Sequence, residues 1–496
     1  MRAVGVPVLI GIGQVRGRAR PPQQAREPLE LVLDAVRDAV ADAGVDPAGL
    51  DSVAAVHVAS WAYDGLAARI AAALGAAPVH VEDTPLGGQW PTALLEAAAA
   101  RIAAGETRLA LIAGGEAQAS VRVLQRAGTD PVELGWSTDP GGPADLAGAG
   151  LRSGRMRAAG LLLPTRVYPL FENALRAARG ESVEDNARAT AALYAAYSAV
   201  AAANPAAWIP EARSAEDIGT VGPGNRMVCE PYPLAVNAMP HVDQAAAVLV
   251  ADRDHARALG VPDDRMVHVW GGASAHDAVD VLARPSFARS DALADVLDRA
   301  LGQAGATPAD LDVVDVYSCF PVVPKLVAAH LGSAFGAGVT GGHSAFGGPL
   351  SSYALHAIVA VAARLRRDGG TGLVHGNGGY LTHEHALLLG RDAHPGGYVG
   401  DPVPRDTAGP APLWVDEVAA DDADADLVVE TATVEHGRDG HPVQAFLVAR
   451  TESGARCAAS TAPGDTASAD ALSLRRGEVV GRRVRARRHG GHVEVS

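Results

Sequence analysis

Sulfur and aromatic rings are scarce in this chain. Only three cysteines occur in 496 residues, Cys229, Cys319 and Cys457, odd in number and far apart. They form neither a disulfide framework nor a zinc-binding spacing, and they suit a reducing compartment, so the expectation is a cytoplasmic protein. Aromatic residues make up 4% of the chain against 48% hydrophobic residues, so the cores are built from Ala, Val and Leu. Positive charge is also short: 42 Lys and Arg stand against 57 Asp and Glu, a formal net charge of -15. That balance argues against nucleic acid or an anionic membrane as the main partner, yet leaves room for a local basic pocket holding a phosphorylated group. Long apolar runs are missing. The Ala-rich stretch 191–203 is broken by two tyrosines and a serine and ends at Asn204-Pro205, which predicts a helix of a water-soluble fold and no membrane span. The N-terminal residues lack the charged, apolar and small-residue succession of a secretion signal.

What the chain does contain is a repeat. The stretch LDVVDVYSCF (311–320) reads as a buried strand, with Val313, Val314 and Val316 β-branched. Its approach, AGATPADLDVV from Ala304, matches AGVDPAGLDSV from Ala43 without a gap at Ala43/Ala304, Gly44/Gly305, Pro47/Pro308, Leu50/Leu311, Asp51/Asp312 and Val53/Val314. An Ala-rich amphipathic helix precedes each copy, over 28–42 and 290–303. VPVLIGIG from Val6 and MVHVWGGA from Met266 open the two halves as strands. A helix-turn-strand unit repeated half a chain apart indicates a duplicated α/β domain and no short-period solenoid.

The length predicts two or three domains with sizeable cores. A first half spans 1–265, with a helix from about 91 to 104 and a strand over 108–113. It contains an irregular excursion, 120–240, rich in Gly, Pro and Arg, with helices over 168–178 and 185–203. A second half spans 266–395, with strands near Val339, Leu373 and Leu387 and a helix over 351–367. An acidic, Ala-rich stretch (416–426) then leads into short alternating runs such as LVVETATVEH and VQAFLVAR, which predict an additional small β-barrel or sandwich over 405–496. The basic cluster 482–489 reads as a solvated strand face. GIGQVRG after the first strand invites a dinucleotide-binding interpretation, but Pro21 and Pro22 prevent a helix from starting at those glycines.

A duplicated α/β half, a loop excursion and glycine-rich turns at the strand ends of the second half resemble the thiolase superfamily over residues 5–392. NPAAWIP (204–210), EPYPL (230–234) and MPHVDQAAAVLV (239–250) are similar to the loop region and return strand of the sterol-carrier-protein-type branch. With the appended β segment, the whole chain resembles the thiolase-like proteins of type 1. The resemblance implies an α/β fold layered αβαβα with an inserted loop domain, plus a small OB-like C-terminal barrel. It also implies a label of acetyl-CoA acetyltransferase, CoA or an acyl-CoA thioester as ligand, and no covalently bound cofactor. Thiolases dimerise through the strand near 79–82, which is short here. A homodimer and a partnership with a thiolase or OB-domain protein both stay open.

Thiolases gather a nucleophilic Cys, an activating His, an acid/base Cys and oxyanion donors at one point. Carried over residue by residue, Thr92-Ala93-Leu94 puts the nucleophile's position at Gly87. Tyr317-Ser318-Cys319-Phe320 stands where the family has His-Asp-Cys-Phe or Asn-Glu-x-Phe, so Tyr317 takes the place of the oxyanion-water ligand. Gly347-Gly348-Pro349 replaces Gly-His-Pro, and Gly376-Asn377-Gly378 replaces Cys-x-Gly. The expectation is a site that binds an acyl-CoA-like molecule without Claisen condensation or thiolysis. The N–H groups of Gly87 and Gly378 would hold the thioester carbonyl, Trp90 and Tyr317 would fill part of the vacated space, and Phe320 would line it. Two other outcomes stay open: an acyltransferase with Cys319 or His343 as relocated catalytic groups, and a non-catalytic subunit supporting an active thiolase. Free Cys is commonly buried and inert, which weighs against Cys319. His375 adjoins Gly376, but strand alternation turns it the other way. His383 and His385 have a spacing tolerable for a metal, but no third ligand is apparent, so no metal site is expected.

Overall fold

A computed structural model describes residues 5–18, 21–144, 150–332, 336–416, 418, 423–489 and 491–496, so part of the acidic stretch 416–426 lies outside the described residues. The first half supplies β1 (Pro7–Arg16), β2 (Ser52–Ala55), β3 (His80–Asp83) and β4 (Leu109–Ala117); its excursion carries the short pair β5 (Met227–Cys229) and β6 (Tyr232–Pro233) and returns through β7 (Asp243–Asp252). The second half supplies β8 (Val267–His276), β9 (Val313–Asp315), β10 (Thr371–Gly378), β11 (His383–Gly390) and β12 (Asp401–Asp406). These strands run in the order β3-β2-β4-β7-β1-β8-β11-β10-β9, with β12 beside β8. The halves meet through two residue pairs between β1 and β8, Val8 with His268 and Leu9 with Val267.

Apolar periodicity explains the layering. In the helix Pro28–Ala43, Leu31, Val32, Ala35, Val36 and Ala39 are buried at three- and four-residue spacing, a stripe that covers β1, β4 and β7. Proline opens this helix and Gly44, at φ 67°, closes it. The helix Asp291–Gln303, the repeat's second copy, lies against β8 and β11. Between the halves sit the helices Trp90–Ala103 and Tyr353–Asp368. Leu94, Leu95 and Ile102 of the first, with Leu355, Ile358 and Leu365 of the second, share one core with Val248 and Val250 of β7 and Leu387 and Leu389 of β11. A layer buried on both sides must be apolar on nearly every face, and these two helices are. The result is the five-layered αβαβα arrangement, in which both inner helices begin at the same end of the sheets.

Three features depart from the sequence reading. The strand expected over 311–320 is only three residues long, because its parallel pairing with β10 stops at Asp315 opposite Val374. There the buried Asp315 carboxylate accepts hydrogen bonds from Val339 N (2.9 Å), Thr340 N (2.9 Å) and Thr340 Oγ1 (2.8 Å). It thereby fastens a turn at 338–340 where a strand near Val339 was expected. Beyond it the chain bends and buries Tyr317, Ser318, Cys319 and Phe320. The large sheet also extends past 395, since β12 pairs with β8.

The C-terminal unit is an antiparallel sheet of order β15-β14-β13-β16-β17, built from β13 (Asp424–His436), β14 (Pro442–Thr451), β15 (Arg456–Ser460), β16 (Arg483–His489) and β17 (His492–Val495). On β16, Val484 and Ala486 are buried while Arg483, Arg485 and Arg487 face outward. This sheet is not self-contained. β5 of the excursion pairs with β13, Cys229 opposite Glu435, and Asn173 and Thr431 exchange hydrogen bonds with Ala432 O (2.8 Å) and Leu170 O (2.6 Å) across the contact. Among the described residues no helix is long and apolar enough to cross a membrane.

Candidate active site

The four motif segments converge at the N-termini of the two inner helices. Gly87 and Gly88 lead into the helix Trp90–Ala103 and are buried. The loop containing Gly348 leads into the helix Tyr353–Asp368, Gly376 and Gly378 end β10, and Tyr317 and Cys319 follow β9. Gly87 N donates to Ser351 Oγ at 3.0 Å, joining the first loop to the second. The donor expected to hold a thioester carbonyl therefore already has a protein partner.

Gln89, not Trp90, lies over Gly87 and Gly378. A β-carbon added at Gly87 or at Gly378 would run into Gln89 Oε1, whereas Trp90 is only half-buried. At Gly376 a β-carbon would lie 2.8 Å from Thr92 Oγ1, 3.0 Å from Gln89 Cα and 3.2 Å from Gly88 O, so the start of the helix packs tightly against this glycine. Gly348 differs: a β-carbon there meets Ala238, Met239 O and His343 at 3.4–3.5 Å, ordinary contact. Gly376→Ala is accordingly expected to destabilise the protein by about 1–3 kcal/mol, as overpacking does. Gly348→Ala should stay within about 0.5 kcal/mol of the parent. Urea unfolding of the two variants checks the contrast, and equal midpoints would refute it.

Tyr317 packs against the loop before the first inner helix. Its phenol abuts Gly88 and donates to Leu350 O at 3.1 Å. Leu350 sits at φ 43°, in the left-handed region that a leucine avoids at a cost of roughly 1–2 kcal/mol, and its carbonyl is turned toward the tyrosine. His343 lies in a wide turn, 342–346, with its ring stacked on Tyr353 at 3.5 Å between centroids and 4.3 Å from the Tyr317 ring. Its Nδ1 faces Ser318 Oγ at 3.3 Å, while Nε2 has no partner among the described residues. Burial pushes its pKa well below the usual imidazole range, so the ring is neutral.

Cys319 has neither base nor exposure. Asn377 Nδ2 stands 3.7 Å from its sulfur, and burial pushes the thiol up to about 12, so it stays protonated at neutral pH and is a poor nucleophile. Phe320 stacks on Tyr168 at 4.5 Å and Tyr232 at 5.8 Å. Tyr168 OH accepts from Asn377 Nδ2 (2.9 Å) and donates to Gly379 O (2.9 Å). His375 points away from Gly376, to Glu384 at 2.8 Å, and His385 is held by Glu96 at 2.5 Å. His383 lies over His276, and no group of three or more metal-ligating side chains occurs among the described residues.

Gln89, Ser351, Asn377, Tyr168 and Tyr353 were given no role at the site by the sequence reading. Gln89 and Asn377 were within reach, since each neighbours motif glycines. Tyr168 and Tyr353 arrive from elements whose approach only the tertiary fold supplies.

Residues 410–491 match the family model described as the thiolase-like protein type 1 additional C-terminal domain. The chain is 28% identical to the monomeric SCP2-thiolase like protein type 1 of Mycobacterium smegmatis, with a TM-score of 0.81 and 99% of each chain covered. The acetyl-CoA acetyltransferase of Syntrophomonas wolfei shares the fold, with a TM-score of 0.59 at 19% identity over 78% of this chain and 100% of that one. Among curated sequences, an acetyl-CoA acetyltransferase of Methanothermobacter thermautotrophicus is 29% identical over 199 residues, 36% of this chain. The match spans half the length of that relative.

Proposed function

The chain belongs to the thiolase superfamily, in the type 1 thiolase-like branch with an additional C-terminal domain, and from that premise we propose that it binds CoA or an acyl-CoA thioester without carrying out condensation or thiolysis. The observation that carries this is the fate of the three reactive positions. Gly87, Gly348 and Gly376 bear no side chain, and at Gly376 a β-carbon would meet Thr92 Oγ1 at 2.8 Å and Gln89 Cα at 3.0 Å, which leaves little room for a thiol. Covalent acyl transfer requires a thiolate beside a base. Here the nearby sulfur, Cys319, is held protonated beside Asn377, and the neutral His343 turns Nδ1 to Ser318.

Binding is supported by what the site leaves unpaired. Gln89 Oε1, His343 Nε2 and Asn377 Oδ1 are buried without partners among the described residues. Buried polar atoms in that state call for a ligand or ordered water. Gln89 is also the movable obstacle: its flexible carboxamide lies where the thioester would enter, and a rotamer change clears it. Titration calorimetry with CoA and acetyl-CoA, followed by intact-mass spectrometry, tests the proposal. Saturable binding with no mass increase is expected. Absence of binding at millimolar ligand, or an acetyl adduct on Cys319, would refute it.

A further inference from the structure

Away from the reactive glycines, where β1 ends, a cavity of about 430 Å³ is lined by Arg16, Gly17, Arg18, Trp208 and Pro210. That volume falls within the range of small-molecule sites. In a chain with a net charge of -15 the lining is unusual: two guanidinium groups, one indole and no carboxylate. Neither Arg16 nor Arg18 has an acidic partner among the described residues. Arg16 Nη1 donates to Ala207 O, which fixes the guanidinium beside Trp208 and leaves its other donors unassigned. Arg18 is exposed. Gly17 N donates to Asp243 O at 2.6 Å and a β-carbon at Gly17 would strike Asp243, so the backbone between the two arginines is held close to β7. Trp208 is fixed as well, since its backbone N donates to Phe346 O at 2.6 Å. The cavity wall is thus joined to the segment immediately preceding Gly347 and Gly348.

An arginine fork recognises phosphate oxygens in two-pronged fashion, and an indole face accepts a flat heteroaromatic ring. Both are present here without a counter-charge. We infer that this cavity is a nucleotide site, with Arg16 and Arg18 on phosphate and Trp208 stacked on the base. A free nucleoside phosphate and the nucleotide end of CoA share this chemistry. For CoA the inference rests on the thioester reading, with the acyl end directed toward the Gly348 loop; for a free nucleotide it stands independently.

Calorimetry on the full chain separates the cases, with adenosine 3′,5′-bisphosphate as the probe and adenosine, pantetheine and CoA as comparisons. The bisphosphate is expected to bind, and adenosine to bind at least about tenfold more weakly. Arg18→Ala and Trp208→Leu should each weaken bisphosphate binding about tenfold, with unchanged melting temperatures and no effect on pantetheine. No bisphosphate binding at millimolar concentration, or binding equal in parent and both variants, would overturn the nucleotide site. Binding of the bisphosphate but not of CoA would remove the thioester reading and leave this site standing. Binding of CoA unaltered by both substitutions would do the reverse.

Discussion

Purified protein supplied with acetoacetyl-CoA and CoA is expected to release no acetyl-CoA above the uncatalysed background. Removing a nucleophile or its base from a covalent catalytic unit lowers turnover on the order of 10⁶-fold. The resemblance assigns the positions of both, and of the second acid/base group, to Gly87, Gly348 and Gly376. A graft should not restore the reaction. In the combined variant Gly87→Cys, Gly348→His and Gly376→Cys, the imidazole finds ordinary contact distances at 348. The two thiols do not: one is directed at the Gln89 carboxamide and the other at the backbone of Gln89 and Gly88. The graft is expected to be less stable than the parent and to remain silent in a coupled thiolysis assay. Turnover by the parent protein would show that another group performs the chemistry. Turnover by the graft would show that the helix start yields more readily than its packing indicates.

Replacing Arg456 by Met should cost about 3–5 kcal/mol of stability, the largest single-residue effect expected away from the site. This arginine is completely buried on β15. Its Nε donates to Glu430 Oε2 at 2.8 Å and its Nη2 to Glu430 Oε1; its Nη1 donates to Leu282 O at 2.8 Å and to Arg284 O, and its guanidinium lies 5.3 Å from the Phe287 ring. One side chain therefore joins the C-terminal sheet to the segment after β8. Truncation leaves three backbone carbonyls, of Leu282, Arg284 and Pro285, without this donor, and leaves the partly buried Glu430 carboxylate with Arg450 Nε at 3.3 Å. Adding Glu430→Met should recover part of the loss, because the partly buried carboxylate that lost its bidentate partner goes with it. Chemical denaturation of the single and double variants measures both effects. A single variant within 1 kcal/mol of the parent would show that water replaces the lost contacts.

The repeat was legible because its copies are local. A helix stripe, a Pro-Ala turn and a Val-rich run lie within twenty-five residues of one another, and their physics is short-range. The motif segments were legible for a related reason: Gly347-x-Pro349 and Gly378 keep the family's pattern on either side of the substituted positions. What now fills the space was not legible. That Gln89 folds back over Gly87 and Gly378 depends on an inner helix of the first half beginning beside the end of β10, and the stack of Tyr353 on His343 depends on the wide turn at 342–346. Residues 311–320 misled in the same way. Three of its valines are β-branched, but the side chain of Asp315 binds the turn at 338–340 and ends the pairing, a tertiary hydrogen bond outweighing local propensity.

The small strand pair β5–β6 carries a consequence for how the tail evolves and how it can be manipulated. Because Cys229 is registered against Glu435, and because Glu230 accepts from Ser473 Oγ, Leu474 N and His436, the appended segment is completed by residues encoded two hundred positions earlier. A gene cut near codon 410 would strip cover from the first half while releasing a fragment lacking one of its own edges. Transplanting the tail onto another enzyme would require carrying 227–233 along with it. It is an inlay, not an attachment.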